Sequence, residues 1–485
     1  MGTRVVSIKN IKFFFAISML ALIGGYAYVS ALSTGYRAFI VIHASILFFA
    51  GIAIFLRNIK IFLLLTMIIM LFLGFGWHFV FERLPFESVL FSEGIRIDTV
   101  DVILMICYIH WGLGLAGKNT VIRPIAIGGK VGIAFLGWII YVLLSSFITA
   151  TNLPYSLYEV IVYMKGFLLY FYLVNNINSE HELKIVIYAL CAGCLALALY
   201  MIVQNLTKTN YTIQGVLLPA GEVGPAGFRS AGFSGSPDNS SAFLVNIFPI
   251  FLVGLFLVKD MFKKTLIVVS MILTVLAVIT SQVRIAQASL LVSVLILIYV
   301  TYRRRWMSKG QLVASILTGI FSLLAVIPLV YVRFATGSTG EDRYALLVTA
   351  YNMFKGNILF GVGANNYNFV VRNYIPPDLL EAWVYTVHSE YFLRLSETGI
   401  LGFLFFYTFV IIVIVAFYRA TFTKNPLIFI VSCGFFAAMM GSFIQRLASM
   451  YHYQQFFMLQ STIYALCALT QFYEKNPGFL KKENI

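Results

Sequence analysis

The stretch VYTVHSEYFLRLSETG, residues 384–399, sets a histidine, two glutamates and an arginine within sixteen positions of a chain in which only 11% of residues are charged. An imidazole titrates near neutrality, so His388 is suited to accept a proton from an alcohol or to hydrogen-bond one. If the segment is helical, Glu390, Arg394 and Glu397 fall on one face at i, i+4 and i+7 and neutralise one another. His388 then stands on the other face with Tyr391, Phe392 and Leu395. The spacing predicts a self-paired structural set and one uncommitted base.

Three arginines stand where an anion would meet them. Arg229 lies in GPAGFRSAGFSGSPDNSSAF, among glycines that let backbone N–H groups approach an anion. Arg284 lies in TSQVRIAQASLL, a turn between two apolar segments too short to lift a guanidinium away from headgroup depth. Arg343 opens EDRYALLVTAYNMF, where Leu346, Leu347, Ala350 and Phe354 recur on one face of a surface helix whose N-terminal dipole favours an anion. A diphosphate is better matched by the planar fork of arginine than by lysine. Singly, each arginine reads as an anchor reaching to lipid headgroups; the three together at such junctions read as a ligand site. Arg333, Arg446 and Tyr391 are accessory candidates.

These residues must be positioned by a membrane scaffold. With 60% hydrophobic residues, 11% charged and a mean hydropathy of +0.90, the chain lacks the charged surface of a soluble globule, for which about 25% is usual. Apolar segments near 12–32, 38–56, 61–80, 99–116, 131–149, 156–174, 183–204, 241–258, 265–281, 285–302, 311–332, 399–418, 426–444 and 455–472 each suffice to cross a hydrocarbon core as a helix. The expectation is an all-α polytopic protein of about fourteen spans with both termini cytoplasmic. Its first span is read as an uncleaved anchor.

The expected inner loops hold 21 of the 34 basic residues, the positive-inside pattern. Most of the net charge of +15 is thus topological, and no basic patch interleaved with aromatics points to nucleic acid. Nine basic residues nevertheless fall on the outer side of the second half, among them Arg229, Arg284, Arg333, Arg343, Arg394 and Arg446, and positive charge there asks for an anionic partner.

Division follows the apolar pattern: helices over 1–204, a Gly/Ser-rich outer loop at 205–240, helices over 241–332, a large, partly helical outer loop at 333–398 carrying the chemistry, and helices with a tail over 399–485. Cys107, Cys191, Cys194, Cys433 and Cys467 all fall inside spans, and the CxxC of YALCAGCLALAL reads as small-residue packing rather than redox or metal. Asp98 and Asp101 read as a helix cap and its reciprocal partner rather than metal ligands. Lys165 within a span implies either a partner, with Glu159 the candidate, or a wet cavity. No P-loop, HExxH or kinase signature appears, so the energy of any reaction comes from the substrate.

The order of FRSAGFSGSPDNSSAF before a span, TSQVRIAQASLL at a tight outer hairpin, EDRYALLVTAYNMFKGNILFGVGANNYN, and VHSEYFLRLSETGILGFLFF closing the large loop resembles the O-antigen ligase and polymerase superfamily over roughly residues 220 to 420. The resemblance implies a GT-C-like, metal-independent, inverting glycosyltransferase of the bacterial inner membrane, working on the periplasmic face without a cofactor. It implies an undecaprenyl-diphosphate-linked glycan donor, an acceptor on a lipid-linked glycan or lipid A-core, lipid contacts, and chain-length or export partners. Arg229, Arg284 and Arg343 match arginines given the carrier diphosphate, and His388 matches a loop histidine associated with acceptor activation or the leaving group. Ser389, where the family often has asparagine, and Val283 before Arg284 depart from its pattern. A repeat-unit polymerase of O-antigen or exopolysaccharide is the first expectation. The alternatives are a ligase to lipid A-core or protein and, in another class, a polyprenyl-glycan flippase; a flippase predicts ionisable residues within spans and two related halves.

Overall fold

The structure, a computed structural model, describes residues 59–74, 76–81, 94–116, 125–208, 223–224, 227–310, 313, 340–376, 386–450 and 454–476. The segments expected at 12–32, 38–56 and 311–332, together with Arg333, lie outside the described residues. Helices take nearly all of the apolar sequence because a segment in lipid must satisfy its own backbone. They are α1 (Ile59–Leu73), α2 (Thr99–Ala116), α3 (Gly129–Thr149), α4 (Leu153–Asn176), α5 (Glu180–Thr207), α6 (Pro237–Leu257), α7 (Met261–Ser281), α8 (Arg284–Arg303), α9 (Gly340–Gly356), the short α10 (Tyr367–Val370), α11 (Glu390–Ala420), α12 (Pro426–Gln445) and α13 (Gln454–Lys475). Among the described residues, eight of these, α3 to α8, α11 and α12, are long and apolar enough to cross a membrane, which makes this a multi-pass membrane protein.

Two expectations are corrected here. The span placed at 61–80 stops at Leu73: Gly74 turns at φ 65°, and β1 (Gly76–Phe81) pairs antiparallel with β2 (Gly94–Asp98). Arg96 fastens this hairpin, donating to the Gly74 carbonyl at 2.7 Å and to Asp98 at 2.8 Å. The Gly/Ser-rich stretch, expected to be simply an outer loop, carries a two-residue ladder between β3 (Val223–Gly224) and β4 (Gly227–Phe228) and a 3-10 turn at Gly232–Ser234.

Lipid-facing and core-facing surfaces separate cleanly. Ile133, Ile140, Leu144 and Phe147 of α3, Leu266, Val269 and Ile272 of α7, and Leu404, Phe405 and Ile411 of α11 point outward and exposed, as side chains meeting hydrocarbon do. The helix richest in polar side chains, α13, is instead buried at every position from Gln454 to Thr470. It lies against α1, α3, α4, α6, α11 and α12. Its hydroxyls bond their own helix, Ser461 to Phe457 and Thr462 to Met458, both at 3.0 Å, so they enter the bundle without orphaned groups.

The element that sets the site is the break in α11. Gly399 adopts φ 64° and ψ −173°, dividing a segment at 390–398 from the span that follows. The chain at Ile358–Gly363 crosses the break and takes over its hydrogen bonds. Val362 and Gly363 donate to the carbonyls of Ser396 and Glu397 at 2.9 Å, while Ile400 and Leu401 donate to Ile358 and Leu359 at 2.8 and 3.3 Å. The crossing requires glycine twice: a Cβ on Gly399 would collide with the Leu359 carbonyl, and one on Gly361, at φ 71°, with that of Glu397.

Candidate active site

Beyond the break, the chain docks on the α3–α4 turn. Asn366 donates to the Asn152 carbonyl at 3.2 Å and to Ser156 Oγ at 2.8 Å, and accepts from the Asn152 N–H at 2.6 Å. Asn365 donates to the Tyr155 carbonyl at 3.0 Å, and Ser156 to that of Ala364 at 2.6 Å. The GANNYN sequence is thus a polar clamp that ties α11 to α4.

The charged face of 390–397 is only partly self-paired: the Glu390–Arg394 contact expected from helical spacing is present, but the closer partners come from other helices. Arg394 Nη1 meets Glu159 of α4 at 2.7 Å, whereas its contact with Glu390 is a looser 3.8 Å. Glu390 is paired instead with Arg446, just after α12, at 2.7 Å. Glu397 accepts the N–H of Tyr367 at 3.3 Å. Tyr163 donates to Glu159, and the Arg394 guanidinium lies 5.9 Å from the Trp138 ring, 5.8 Å from Tyr163 and 5.6 Å from Phe406. All five charged residues are buried. Burial explains the departure: at i, i+4 and i+7 a water-exposed set could pair loosely, but charges among aromatics need close oppositely charged partners from other helices.

His388 precedes the helix rather than sharing a face of it. Ser389 is the N-cap residue, and the imidazole Nδ1 is 3.0 Å from the Thr386 carbonyl. Next to it, the Glu390 N–H donates to the Arg446 carbonyl at 3.0 Å, which holds the histidine strand against the chain following α12. Tyr391 turns inward: its hydroxyl donates to the Phe443 carbonyl at 3.0 Å and its ring stacks on Tyr407. Of the accessory candidates, Arg446 is therefore an ion-pair partner and Tyr391 a packing residue in this structure.

Arg229 docks on the turn that leads into Arg284. Arg229 Nε donates to the Ser281 carbonyl at 3.2 Å and the neighbouring Ser230 N–H to that of Thr280 at 3.0 Å, so the glycine-rich loop rests on the turn that Arg284 ends as first residue of α8. Gln282 holds the left-handed position of that turn at φ 54° and donates to the Phe228 carbonyl at 3.4 Å. From the other side, Gln204 of α5 accepts the Gly232 N–H at 2.8 Å, and Phe233 stacks on Tyr200 with centroids 4.1 Å apart. Arg229 also faces Asp238 of α6 at 3.8 Å, and Asp238 accepts from Ser449 at 3.5 Å. Ser449 lies three residues after Arg446, so one short segment, 446–449, touches both Glu390, two residues past His388, and Asp238, the partner of Arg229.

Arg343 stands apart from these bonds. It is exposed near the start of α9, whose Leu346, Ala350 and Met353 share a small core with Val387 and Leu393 beside His388. That core links α9 to the histidine strand by packing. Lys165, offered Glu159 as partner, instead reaches Asp101 at 2.6 Å and the Arg96 carbonyl. Asp101 in turn accepts the Asp98 N–H at 2.9 Å, the reciprocal half of the expected cap. Burial pushes the Asp98 carboxyl, outside the spans, up to about 6 against the opposing pull of Arg96. Sequence reasoning gave Glu159 to Lys165 rather than to Arg394 and passed over Asp238 as a partner of Arg229; an acid inside a span and an acid in a first helical turn were the signals available.

A family model described as O-antigen ligase matches residues 269–407. Comparison with curated proteins returns no match. The matched stretch runs from α7 to the first half of α11 and includes Arg284, Arg343 and His388, while Arg229, Asp238 and Arg446 fall outside it. Members of this family are ligases and polymerases of the glycosyltransferase type. With a helical membrane scaffold and this match over residues 269–407, the chain is similar to the O-antigen ligase family, which supports the resemblance to the O-antigen ligase and polymerase superfamily.

Proposed function

We propose that the protein transfers glycan from an undecaprenyl-diphosphate-linked donor to an acceptor sugar on the periplasmic face of the bacterial inner membrane, as a repeat-unit polymerase of O-antigen or exopolysaccharide. The observation that carries the proposal is the docking of Arg229 on the turn that leads into Arg284, with segment 446–449 joining Asp238, the partner of Arg229, to Glu390, two residues past His388. A glycosyl diphosphate brings its own leaving group, so the protein needs only to stabilise the charge that develops as the diphosphate departs, and guanidinium groups do this.

In this reading Arg229 and Arg284 hold the diphosphate, Arg343 approaches from α9, and His388 receives or orients the acceptor hydroxyl, with inversion at the anomeric carbon. The Thr386 carbonyl near Nδ1 favours a proton there, which leaves Nε2 as the accepting nitrogen. Transfer to lipid A-core, or to protein, is the alternative acceptor chemistry. A flippase is disfavoured because the buried charges Glu159 and Glu390 are held by Arg394 and Arg446 rather than left to meet a transported ligand.

The test is a cell-free reaction of the purified protein with polyprenyl-diphosphate glycan, with and without chelator. Longer lipid-linked glycan is the expected product; glycan moved only to lipid A-core or protein would replace polymerase by ligase. Product that vanishes with chelator would sink the metal-free mechanism, and transfer undiminished in both Arg284→Ala and His388→Ala would sink the site.

A further inference from the structure

Asp238 is an acid in a place where the proposed chemistry wants only positive charge. Its carboxylate stands 3.8 Å from the Arg229 guanidinium, in the first turn of α6, and is kept there by Ser449 at 3.5 Å. Arg229 is nearly enclosed, with 12% of its side chain exposed, whereas Asp238 at 44% is open to its surroundings. Any diphosphate gripped by Arg229 is therefore brought beside a fixed negative charge.

Two roles suit a carboxylate in such a site. One is the general base for the acceptor hydroxyl. An inverting transfer sets the attacking oxygen opposite the leaving group, and a carboxylate paired with a diphosphate-holding arginine is on the leaving-group side. The other role follows from charge. In the transfer, the acceptor oxygen bonds the anomeric carbon and its proton passes to the base. The bond from that carbon to the diphosphate breaks with its electron pair on the diphosphate oxygen. The donor is a diphosphate diester with two ionised oxygens; the product is a monoester carrying up to three. Like-charge repulsion at Asp238 is thus greater for product than for donor.

We infer that Asp238 is the product-expelling residue of this site: it discriminates against the polyprenyl diphosphate formed in the reaction, offsetting the grip of Arg229 and Arg284 after bond cleavage. This rests on the proposed diphosphate site. A specificity residue of this kind weakens both ligands but the more highly charged one further, so it speeds release without forfeiting donor binding. Ser449 links it to segment 446–449 and so to the histidine strand.

The test compares two probes on the full-length protein in nanodiscs: farnesyl diphosphate, with the charge of the product, and a farnesyl-diphosphate-linked N-acetylglucosamine, with that of the donor. Asp238→Asn keeps the shape and a group able to accept from Ser449. It is expected to tighten farnesyl diphosphate about tenfold and the diester about threefold, the difference that one added charge makes through a screened site. Ser449→Ala, which frees the carboxylate, is expected to shift the ratio of the two affinities in the same direction by less. An unchanged ratio in both variants, or weaker farnesyl diphosphate binding in Asp238→Asn, overturns the inference. Arg229→Ala separates this from the reading beneath it: if neither probe loses affinity in that variant, the diphosphate site itself is wrong, whereas lost affinity with an unchanged Asp238→Asn ratio condemns only the expelling role.

Discussion

Replacing Arg394 by leucine tests whether the five buried charges hold the site together. Its guanidinium stands 2.7 Å from Glu159 and 3.8 Å from Glu390, with 5% of the residue exposed, so Arg394→Leu leaves Glu159 with only the Tyr163 hydroxyl and weakens the compensation of Glu390. Removing one partner of a buried pair costs about 3–5 kcal/mol, because the remaining charge keeps its desolvation penalty. The upper part of that range is expected here, since two acids lose a neighbour. Arg446 continues to neutralise Glu390 at 2.7 Å, which keeps the loss from doubling. Glu159→Leu combined with Arg394→Leu removes both members of the main pair and is expected to recover about half of the cost. Unfolding in mixed micelles titrated with a denaturing detergent measures these values, and Trp138, 5.9 Å from the guanidinium, reports locally by fluorescence. A loss below about 1 kcal/mol for Arg394→Leu, or strict additivity of the two single changes in the double variant, would refute the coupling.

Two further outcomes are expected from the same unfolding assay. Gly361→Ala and Gly399→Ala each place a Cβ against crossing backbone at φ values of 71° and 64°, and each is expected to cost at least about 1–3 kcal/mol; wild-type stability in either would mean that the chains do not cross as described. Asp98, with its carboxyl pushed up to about 6 mainly by burial, binds a proton in the folded state at pH values where an unfolded carboxyl, at about 3.9, has lost it. Its contribution is fully present below about pH 4 and lost as pH rises through about 6, so the wild type is expected to lose about 2–3 kcal/mol over that window relative to Asp98→Asn. Parallel pH profiles of the two proteins would remove Asp98 as the source.

The membrane class and the positions of most described helices were legible because hydropathy is a sum over a segment, and a sum survives ignorance of neighbours. The helices expected at 131–149, 156–174 and 426–444 emerge within a few residues of those bounds for this reason. The segment at 61–80 was misjudged because its tail GWHFVF is as apolar as a helix, and only its partner strand 13 residues further along makes it a strand. Charge partners were the least legible. Glu390, Arg394 and Glu397 sit at ideal helical spacing, and spacing alone pairs them with each other. Their actual partners, Glu159 and Arg446, are 235 residues away for Arg394 and 56 for Glu390, and nothing local in the sequence encodes that distance.

By itself the sequence determined which residue types were available: a histidine at the mouth of a membrane helix, arginines at short junctions, and glycines in FGVG and ETG. The tertiary structure decided how they are used. It broke α11 at Gly399 and handed the freed backbone bonds to residues 358–363, because an unsatisfied amide in a bundle costs more than a crossing chain. It turned the acids of 390–397 to α4 and α12, where burial demanded close opposite charge. Asp238 was set beside Arg229 only when the glycine-rich loop folded back on the start of α6, since residues nine apart in an irregular segment have no periodicity to bring them together.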